Sequence, residues 1–456
     1  MKIFKFIFLV CFVLISVTIN AQIDTKSKTV NLSSYEKTKL DKHLKKYKAF
    51  SFDKSKVIDS LKLKRKSSFT LNIDETNEWV ISLELNDLRG EKYKATYISD
   101  SGEKEFDSYI PNTYKGNTKK GQIARFTIDN KNFHGAIIDK NHTKIIRQAK
   151  TFDNSISEDI FIVFDKMDIV RSSEDFPVDF VDAIEVDGGS LKSTSLLKAT
   201  VCTYYLEIAT DADFEYYQDM GSNLVDTYSE IFSVLNIIEG VYESTFDLRF
   251  VVTFQNVWTT SSDPYTSSNA STLLGEFRTE WNTNRTAVTR DIAHLFTGRD
   301  MTGWGIAWLG QINTSYSYAV SENRTEMFET TAHEIGHNLN ALDNPSDGNC
   351  GTSSASVMCQ GLKDNNLWFS TNSINEISPF LTTHTADLNN PISSELNLTG
   401  TTTGFNEYQA RDKITSTQVI DGGVTIYKAD EIILNGGFEV KIGTEFEMRN
   451  DDTGCD

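Results

Sequence analysis

Hydrophobic and polar residues alternate along residues 71–165, as is typical of β-strands with one buried face. The alternation is clearest in EWVISLEL, KATYIS, QIARFTI, FHGAIID, KIIRQA and IFIVF. Turns rich in glycine and asparagine separate these segments. Together with the helix-permissive stretch before it and the acidic, Gly/Ser-rich connection after it, this pattern predicts a β-rich N-terminal region over residues 22–195.

Residues 196–388 follow a different pattern. KATVCTYYLEIA and FDLRFVVTFQNVW predict strands, and the segment between them has apolar residues at helical spacing. STLLGEFRTEWNT predicts a further helix, and IAHLFTG, GIAWLGQI and SYSYAVS predict more strands. Strands and helices in this order predict a sheet with helices packed on it, and therefore the α+β class.

Short strands return in residues 389–456. They are ITSTQVI, GVTIYKADEIIL, GGFEVKIG and TEFEMRN, and they follow a polar stretch. This spacing predicts a small all-β module at the C-terminal end.

The first residues, MKIFKFIFLVCFVLISVTINAQ, have the pattern of a secretory signal. Lys2 and Lys5 precede an apolar run that is too short to span a bilayer comfortably, and Ala21 is a small residue at a plausible cleavage point. We expect residues 1–21 to be removed on export, which predicts a secreted or cell-surface protein without a membrane span. An uncleaved anchor is the alternative.

Charge narrows the range of partners. The formal net charge is −19, which argues against nucleic acid as a partner. Residues 22–70 differ from the rest, because 13 Lys and 1 Arg against 5 acidic residues give 14 − 5 = +9. This basic segment is either a solvated lysine-rich surface or a surface that docks on an acidic part of the same chain. Both interpretations stay open.

Four cysteines lie outside the signal segment, and an exported chain can pair them. Cys350 and Cys359 would close a short loop, and we predict a disulfide between them. Pairing of Cys202 and Cys455 is left open.

The strongest chemical signal is HEIGHNLNALD, residues 333–343. On a helix, His333 and His337 share one face, so both imidazoles can bind the same tetrahedral zinc. Glu334 lies beside that face, where it can hold a water molecule without being a ligand. The alternative is an amphipathic helix that carries two surface histidines.

A catalytic zinc needs a third protein ligand from outside this helix face. Asn340 can adopt the left-handed backbone that ends a helix sharply, and Asp343 then falls at the position expected for the third ligand. Further on, SASVMCQG places Met358 in a tight segment of small residues.

This combination resembles the metzincin zinc peptidases, whose motif H-E-x-x-H-x-x-G-x-x-H/D is followed by a methionine turn beneath the zinc. Within them it is most similar to the reprolysin or ADAM-like (adamalysin) proteases, which have strands like DIAHLFTGR and GIAWLG. The resemblance covers roughly residues 80–385. Asn340 replaces the usual glycine, as in the ADAM proteases that bear thrombospondin repeats. Asp343 replaces the usual third histidine, as in snapalysin-like metzincins, which indicates a secreted bacterial type and raises the question of the third ligand.

The resemblance implies a fold and a domain order. The catalytic domain would be a twisted mixed sheet with packed helices, an active-site helix and a methionine turn. A prodomain over residues 22–195 would precede the protease domain at 196–388, and the β module would occupy 389–456.

Two other acidic residues compete with Asp343 as the third ligand. Some H-E-x-x-H peptidases, the gluzincins, take a glutamate from a later helix, and FSTNSINEISPFL could be that helix with Glu376. Asp347 is a further candidate.

The function implied is a zinc metalloendopeptidase that hydrolyses peptide bonds of proteins. His333, His337 and Asp343 would hold one Zn²⁺, Glu334 would be the general base, and Met358 would pack under the metal. Substrate would lie extended along GIAWLG, and calcium binding is left open. The alternative class is a catalytically inactive zinc-binding or adhesion protein, against which the intact Glu334 argues.

Latency requires a separate explanation. ADAM-like prodomains often silence the zinc with a cysteine, but no cysteine lies between residues 22 and 201. A zymogen would therefore rely on steric cover, a histidine or a carboxylate such as Asp187. The predicted partners are a protein or peptide substrate and the protein's own prodomain as inhibitor.

Overall fold

The computed structural model describes residues 23–25, 27–74, 77–107, 109–139, 142–170, 183–184, 203–324, 327–343, 350, 355–359, 366–388, 395–410, 413–429 and 431–449. The predicted signal segment 1–21, Cys202, Cys455, Asp187 and Asp347 lie outside these residues. Helices and several sheets together give the mixed α+β class that the sequence predicts. No helix in the described part has the length and apolar character needed to cross a bilayer.

The N-terminal region, residues 23–170, is mostly β-structure. Its helices are α1 (Ser34–Leu40) and α2 (Ser55–Lys64). Its strands are β1 (Ile23–Thr25), β2 (Lys28–Thr29), β3 (Lys48–Ser51), β4 (Lys66–Asn72), β5 (Glu78–Leu85), β6 (Arg89–Ser99), β7 (Gly102–Glu105), β8 (Thr113–Thr118), β9 (Ile123–Ile128), β10 (Phe133–Asp139), β11 (His142–Gln148) and β12 (Phe161–Asp165). Ten of them form one sheet in the order β1-β4-β5-β8-β9-β10-β11-β12-β3-β2.

Strand β10 shows why this sheet is buried on both faces. Because side chains alternate along a strand, Phe133 and Ile137 join the core that lies under α2, whereas Ala136 and Ile138 join a second core. That second core also contains most of the apolar residues of the following region. The N-terminal sheet therefore shares one of its faces with the centre of the molecule.

The central region, residues 203–388 with the two residues of β13, holds the helices α3 (Phe214–Asp219), α4 (Leu224–Phe246), α5 (Ala270–Asn284), α6 (Phe328–Asn338) and α7 (Thr371–Thr383). Its strands are β13 (Ala183–Ile184), β14 (Tyr204–Ala212), β15 (Leu248–Trp258), β16 (Ile292–Thr297), β17 (Gly305–Trp308) and β18 (Tyr318–Glu322). The sheet order is β13-β17-β18-β16-β14-β15-β6-β7. Strand β17 is antiparallel to β18, and helices α4 and α6 pack on this sheet and on each other.

Three strands from earlier in the chain extend this second sheet, β13 at one edge and β6 with β7 at the other. Strand β6 pairs in parallel with β15, and the two-residue strand β13 pairs in parallel with β17. Alternation in KATYIS, residues 94–99, predicts a strand but does not indicate its partner, since the pattern reports only which side chains share a face.

The C-terminal region, residues 395–449, is a three-coil parallel β-solenoid. Its strands are β19 (Glu395–Leu398), β20 (Thr401–Thr402), β21 (Phe405–Gln409), β22 (Lys413–Ser416), β23 (Val419–Ile420), β24 (Val424–Lys428), β25 (Glu431–Leu434), β26 (Glu439–Val440) and β27 (Glu445–Arg449). Each coil supplies one strand to each of three sheets. Positions 395, 413 and 431 pair in register, which is an 18-residue spacing that the sequence analysis does not predict.

Candidate metal centre

Helix α6 presents the two histidines of the motif on one face. The rings of His333 and His337 lie 4.5 Å apart between centroids, with planes at 89°. Both side chains are fully buried. A spacing of four residues on a helix produces this arrangement, because such residues lie one above the other.

A sharp turn after α6 brings the third residue to the histidines. The helix ends at Asn338, and Asn340 has a φ of 73°, in the left-handed region that asparagine tolerates. Asp343 then returns, with its Oδ1 3.2 Å from His333 Nε2 and 3.8 Å from His337 Nε2. One ligand atom from each of the three residues lies within 4.8 Å of the others, which is the distance range of a shared metal ion.

The Nδ1 atoms of both imidazole rings face backbone carbonyl groups. His333 Nδ1 lies 2.8 Å from the carbonyl oxygen of Val357, and His337 Nδ1 lies 2.7 Å from that of Ala341. A carbonyl oxygen only accepts, so each Nδ1 must carry the hydrogen. This leaves the lone pair of each Nε2 directed at Asp343, as in histidines that bind metals.

The protonation states of this cluster favour a bound cation. Burial, reinforced by His333, lowers the pKa of His337 to about 3, so its ring is neutral. Two nitrogen lone pairs and a carboxylate oxygen this close repel one another unless a cation lies between them. Two imidazoles and one carboxylate are a donor set that Zn²⁺ takes.

The segment that carries Met358 forms the floor beneath the histidines. Met358 is fully buried, and its neighbour Val357 supplies the carbonyl group that holds His333. A Cβ atom added at Gly336 would collide with the sulfur of Met358, so α6 needs glycine there. Cys350 and Cys359 form a disulfide that ties this segment to the residues before it.

Glu334 lies between the histidine pair and strand β17. Its side chain is fully buried, and a Cβ atom added at Gly305 would collide with its carboxylate. Glycine at the start of β17 therefore makes room for this acid. The carboxylate group consequently lies beside the edge strand to which the sequence assigns the substrate.

Glu376, the rival third ligand, is placed differently. It lies on α7, and its Oε2 accepts a hydrogen bond from the backbone N–H of Leu342 at 3.0 Å. The group of described residues that could hold a metal comprises His333, His337 and Asp343. In the structure Glu376 thus holds the turn that carries Asp343, and Asp343 itself faces the histidines.

Sequence reasoning missed several residues that support the centre. Tyr242 on α4 donates a hydrogen bond to the carbonyl group of Ala332 at 2.7 Å, next to His333. Lys166 and Glu329, both buried, form an ion pair of 3.1 Å between the N-terminal region and the first turn of α6. Apolar spacing predicts helix α4, but no local signal indicates which of its residues reach a segment almost a hundred positions away.

A family model and several known proteins match part of this chain. Residues 201–371 match the family model of reprolysin type described as "Metallo-peptidase family M12". Relatives include "Zinc metalloproteinase-disintegrin-like" of Cerberus rynchops, 28% identical over 155 residues. Another is "Disintegrin and metalloproteinase domain-containing protein 33" of Homo sapiens, 30% identical over 154 residues. These matches support a reprolysin-like metzincin over residues 201–371, as the sequence predicts.

The similarity to these relatives covers only part of each chain. Each alignment covers 32% of the present chain, 25% of the snake protein and 19% of the human one. The chain thus spans a quarter or less of the length of these relatives.

Proposed function

We propose that the protein is an exported zinc-dependent metalloendopeptidase that hydrolyses peptide bonds of protein substrates. The observation that carries this proposal is the convergence of His333, His337 and Asp343 within 4.8 Å in a domain of the M12 family. Membership of that family supports zinc dependence in general. Export is proposed from the apolar, lysine-led residues 1–21.

Different residues of the chain have different roles in the proposed hydrolysis. When bound, Zn²⁺ supplies Lewis acidity, which polarises a water molecule and the scissile carbonyl group. Glu334 takes the proton of that water and delivers it to the leaving amine. Its burial against Gly305 supports this role, because the carboxylate then lies close to a substrate on β17. Met358 holds the floor of the site without binding the metal.

Strand β17 is the proposed substrate-binding edge. A peptide would add to it as an extra strand, through main-chain hydrogen bonds. In the full chain that edge pairs with β13, where Ala183 lies opposite Ala307 and Ile184 opposite Trp308. A substrate strand and β13 would compete for the same backbone groups. We therefore propose that residues 183–184 keep the enzyme latent without a cysteine.

The domain order follows from the same proposal. Residues 1–21 would be the signal peptide, 22–195 the prodomain, 196–388 the protease domain and 389–456 the C-terminal β module. The β-solenoid within 389–456 would serve attachment or substrate binding rather than catalysis, since the metal centre lies wholly in the central region.

A digestion experiment tests the peptidase. The full chain, cleaved in the 185–200 connection, is incubated with casein, with and without a zinc chelator. We expect cleavage that the chelator abolishes and added zinc restores. Glu334→Gln should bind zinc and lose at least about 10²-fold in rate, the contribution of a general base. Zinc binding without any hydrolysis by the unaltered protein would instead support the inactive zinc-binding or adhesion protein, and full activity of the Gln variant would end the proposed mechanism.

A further inference from the structure

Helix α4 carries a polar stripe that the N-terminal region covers. Ser229, Ser233, Asn236, Glu239 and Glu243 follow one another at intervals of three or four residues, so they line one face of the helix. The rest of α4 is mainly apolar and buried. A polar stripe inside a buried helix requires hydrogen-bond partners from elsewhere.

Residues of the N-terminal region supply those partners one by one. Asn112 bonds to Ser229 at 2.9 Å, His134 to Ser233 at 2.9 Å, and Asn86 to both Asn236 at 2.9 Å and Glu239 at 2.5 Å. Because each polar group on α4 meets a complementary group, the two surfaces match along the length of the helix.

An ion pair closes the end of the stripe. Arg125 Nη2 lies 2.5 Å from Glu243 Oε2, and Lys115 Nζ lies 2.9 Å from Oε1 of the same residue. Burial opposes ionisation of Glu243, but Lys115 and Arg125 outweigh it and lower its pKa to about 2. A Cβ atom at Gly240 would come within 2.9 Å of Arg125 Nε, so glycine gives the arginine its place.

Aromatic contacts flank the stripe. Tyr109 stacks on Phe232 with ring centroids 4.7 Å apart, and Phe106 stacks on Tyr228 at 4.9 Å. These residues belong to one apolar core that runs without interruption from the N-terminal sheet through α4 to α6. A core that two segments share in this way resembles the interface of an obligate complex.

Strand β6 also joins the N-terminal region to the central region through main-chain hydrogen bonds. Its pairing with β15 is continued at both ends, by Val252 N–H donating to Leu88 O at 2.6 Å and Thr259 N–H donating to Ile98 O at 2.9 Å. Thr96 also donates from its hydroxyl group to buried Asn256 at 2.9 Å. Removal of β6 would leave β15 as an open edge and expose these groups.

The contacts between the N-terminal and central regions would differ in what it costs to break them. The polar stripe could be hydrated in a free central region, but the apolar core and the edge of β15 would be exposed without compensation. We propose that cleavage of the connection between residues 170 and 203 leaves the N-terminal region bound, as a permanent non-covalent second chain of the mature protein. This goes beyond the proposed prodomain, because under the latency proposal only residues 183–184 need to leave β17.

The experiment reads association rather than activity, so it is independent of whether the protein is a peptidase. A specific protease site is inserted into the full chain within residues 188–196, and a purification tag is placed after residue 449. After complete cutting, the sample is diluted to about 100 nM, where an obligate interface stays intact, and is analysed by tag capture and size-exclusion chromatography. We expect both chains to be captured together in equal amounts and to elute together, also in 1 M NaCl. Recovery of the tagged chain without the N-terminal chain overturns the proposal, whether the tagged chain stays soluble or aggregates.

A matched pair of tyrosine variants locates the contact. Tyr109→Ala removes a buried ring of the interface, and should raise the dissociation constant of the cut protein at least about tenfold, as expected for a buried aromatic anchor. Tyr35→Ala removes a ring on α1 that is 57% exposed, and should change nothing. Equal behaviour of the two variants would show that the α4 surface does not hold the chains together. If the Tyr109 variant fails to fold, the cut unaltered protein still decides between the outcomes.

Discussion

The carboxylate group of Glu376 accepts a hydrogen bond from the backbone N–H of Leu342, the residue directly before Asp343. This contact joins helix α7 to the turn that follows the two histidines. Under the proposed zinc site, Glu376 supports the turn that carries the third ligand, Asp343, and does not bind the metal itself. Groups that orient ligands in this way contribute to metal affinity without touching the metal.

Two substitutions of Glu376 distinguish support from ligation. Glu376→Gln keeps an oxygen that can accept from Leu342, so we expect zinc binding to stay near its original level. Glu376→Ala removes the acceptor and should weaken zinc binding by about 10- to 100-fold, as is usual for groups that orient a ligand. Zinc affinity is measured by competition with a chromophoric chelator. Loss of zinc from the Gln variant would make Glu376 the ligand.

Gly336→Ala tests the contact between α6 and the floor of the site. The new methyl group would collide with the sulfur of buried Met358. We expect a loss of about 1–3 kcal/mol in the free energy of unfolding, as for overpacked cores. The matched control is Gly275→Ala in α5, where no atom lies within 4 Å of the new Cβ. That variant should gain up to about 1 kcal/mol from helix propensity. Thermal unfolding of both variants would show a common shift if the contact with Met358 were unimportant.

His134 should stabilise the contact between the N-terminal region and α4 less at acidic pH. Burial lowers its pKa from 6.5 to about 4, while Glu230, Arg147 and Asp129 act in smaller and opposing ways. Because the unfolded state binds the proton first, the stabilisation is present above pH 6.5 and is lost as the pH falls toward 4. The loss amounts to about 2–3 kcal/mol near pH 4.5, from the difference between the two pKa values.

The measurement compares unfolding at pH 7.5 and 4.5 for His134→Gln and the unaltered chain. The variant should lose less stability on acidification, by roughly the amount given above. His142→Gln, at an exposed position on β11, serves as control and should follow the unaltered chain. The comparison is needed because burial raises the pKa of Asp213 and Glu322 to about 7, which shifts stability in the opposite direction. Parallel curves for all three proteins would remove His134 from the account.

The sequence predicts the part of the site that depends on local spacing. His333 and His337 share a helix face because of their four-residue interval, and Asn340 predicts the turn because it tolerates a positive φ. The sequence favours Asp343 over Glu376 by its spacing and its resemblance to the metzincins, but it leaves Glu376 as an alternative. Both are acidic residues after the helix, and only the packing of α7 shows which carboxylate group faces the imidazoles.

The fold likewise has parts that the sequence predicts and parts that it does not. Alternation predicts strands such as β5, β6 and β10, because burial of one face leaves a period of two. It does not specify strand partners, so the entry of β6 into the second sheet and of β13 beside β17 was not predictable. The β-solenoid was not predicted from the sequence for another reason. Its pairing is 18 residues apart, but strands of two to five residues with little shared composition leave a weak repeat in the sequence.

The zinc content of the Asp343→Ala variant tests the central claim most directly. Metal analysis of the purified full chain should give one zinc per molecule for the unaltered protein, as for a single catalytic site. The variant should retain almost none after dialysis, while circular dichroism stays unchanged. A folded Asp343→Ala protein that keeps a full equivalent of zinc would contradict the assignment of His333, His337 and Asp343 as the metal centre.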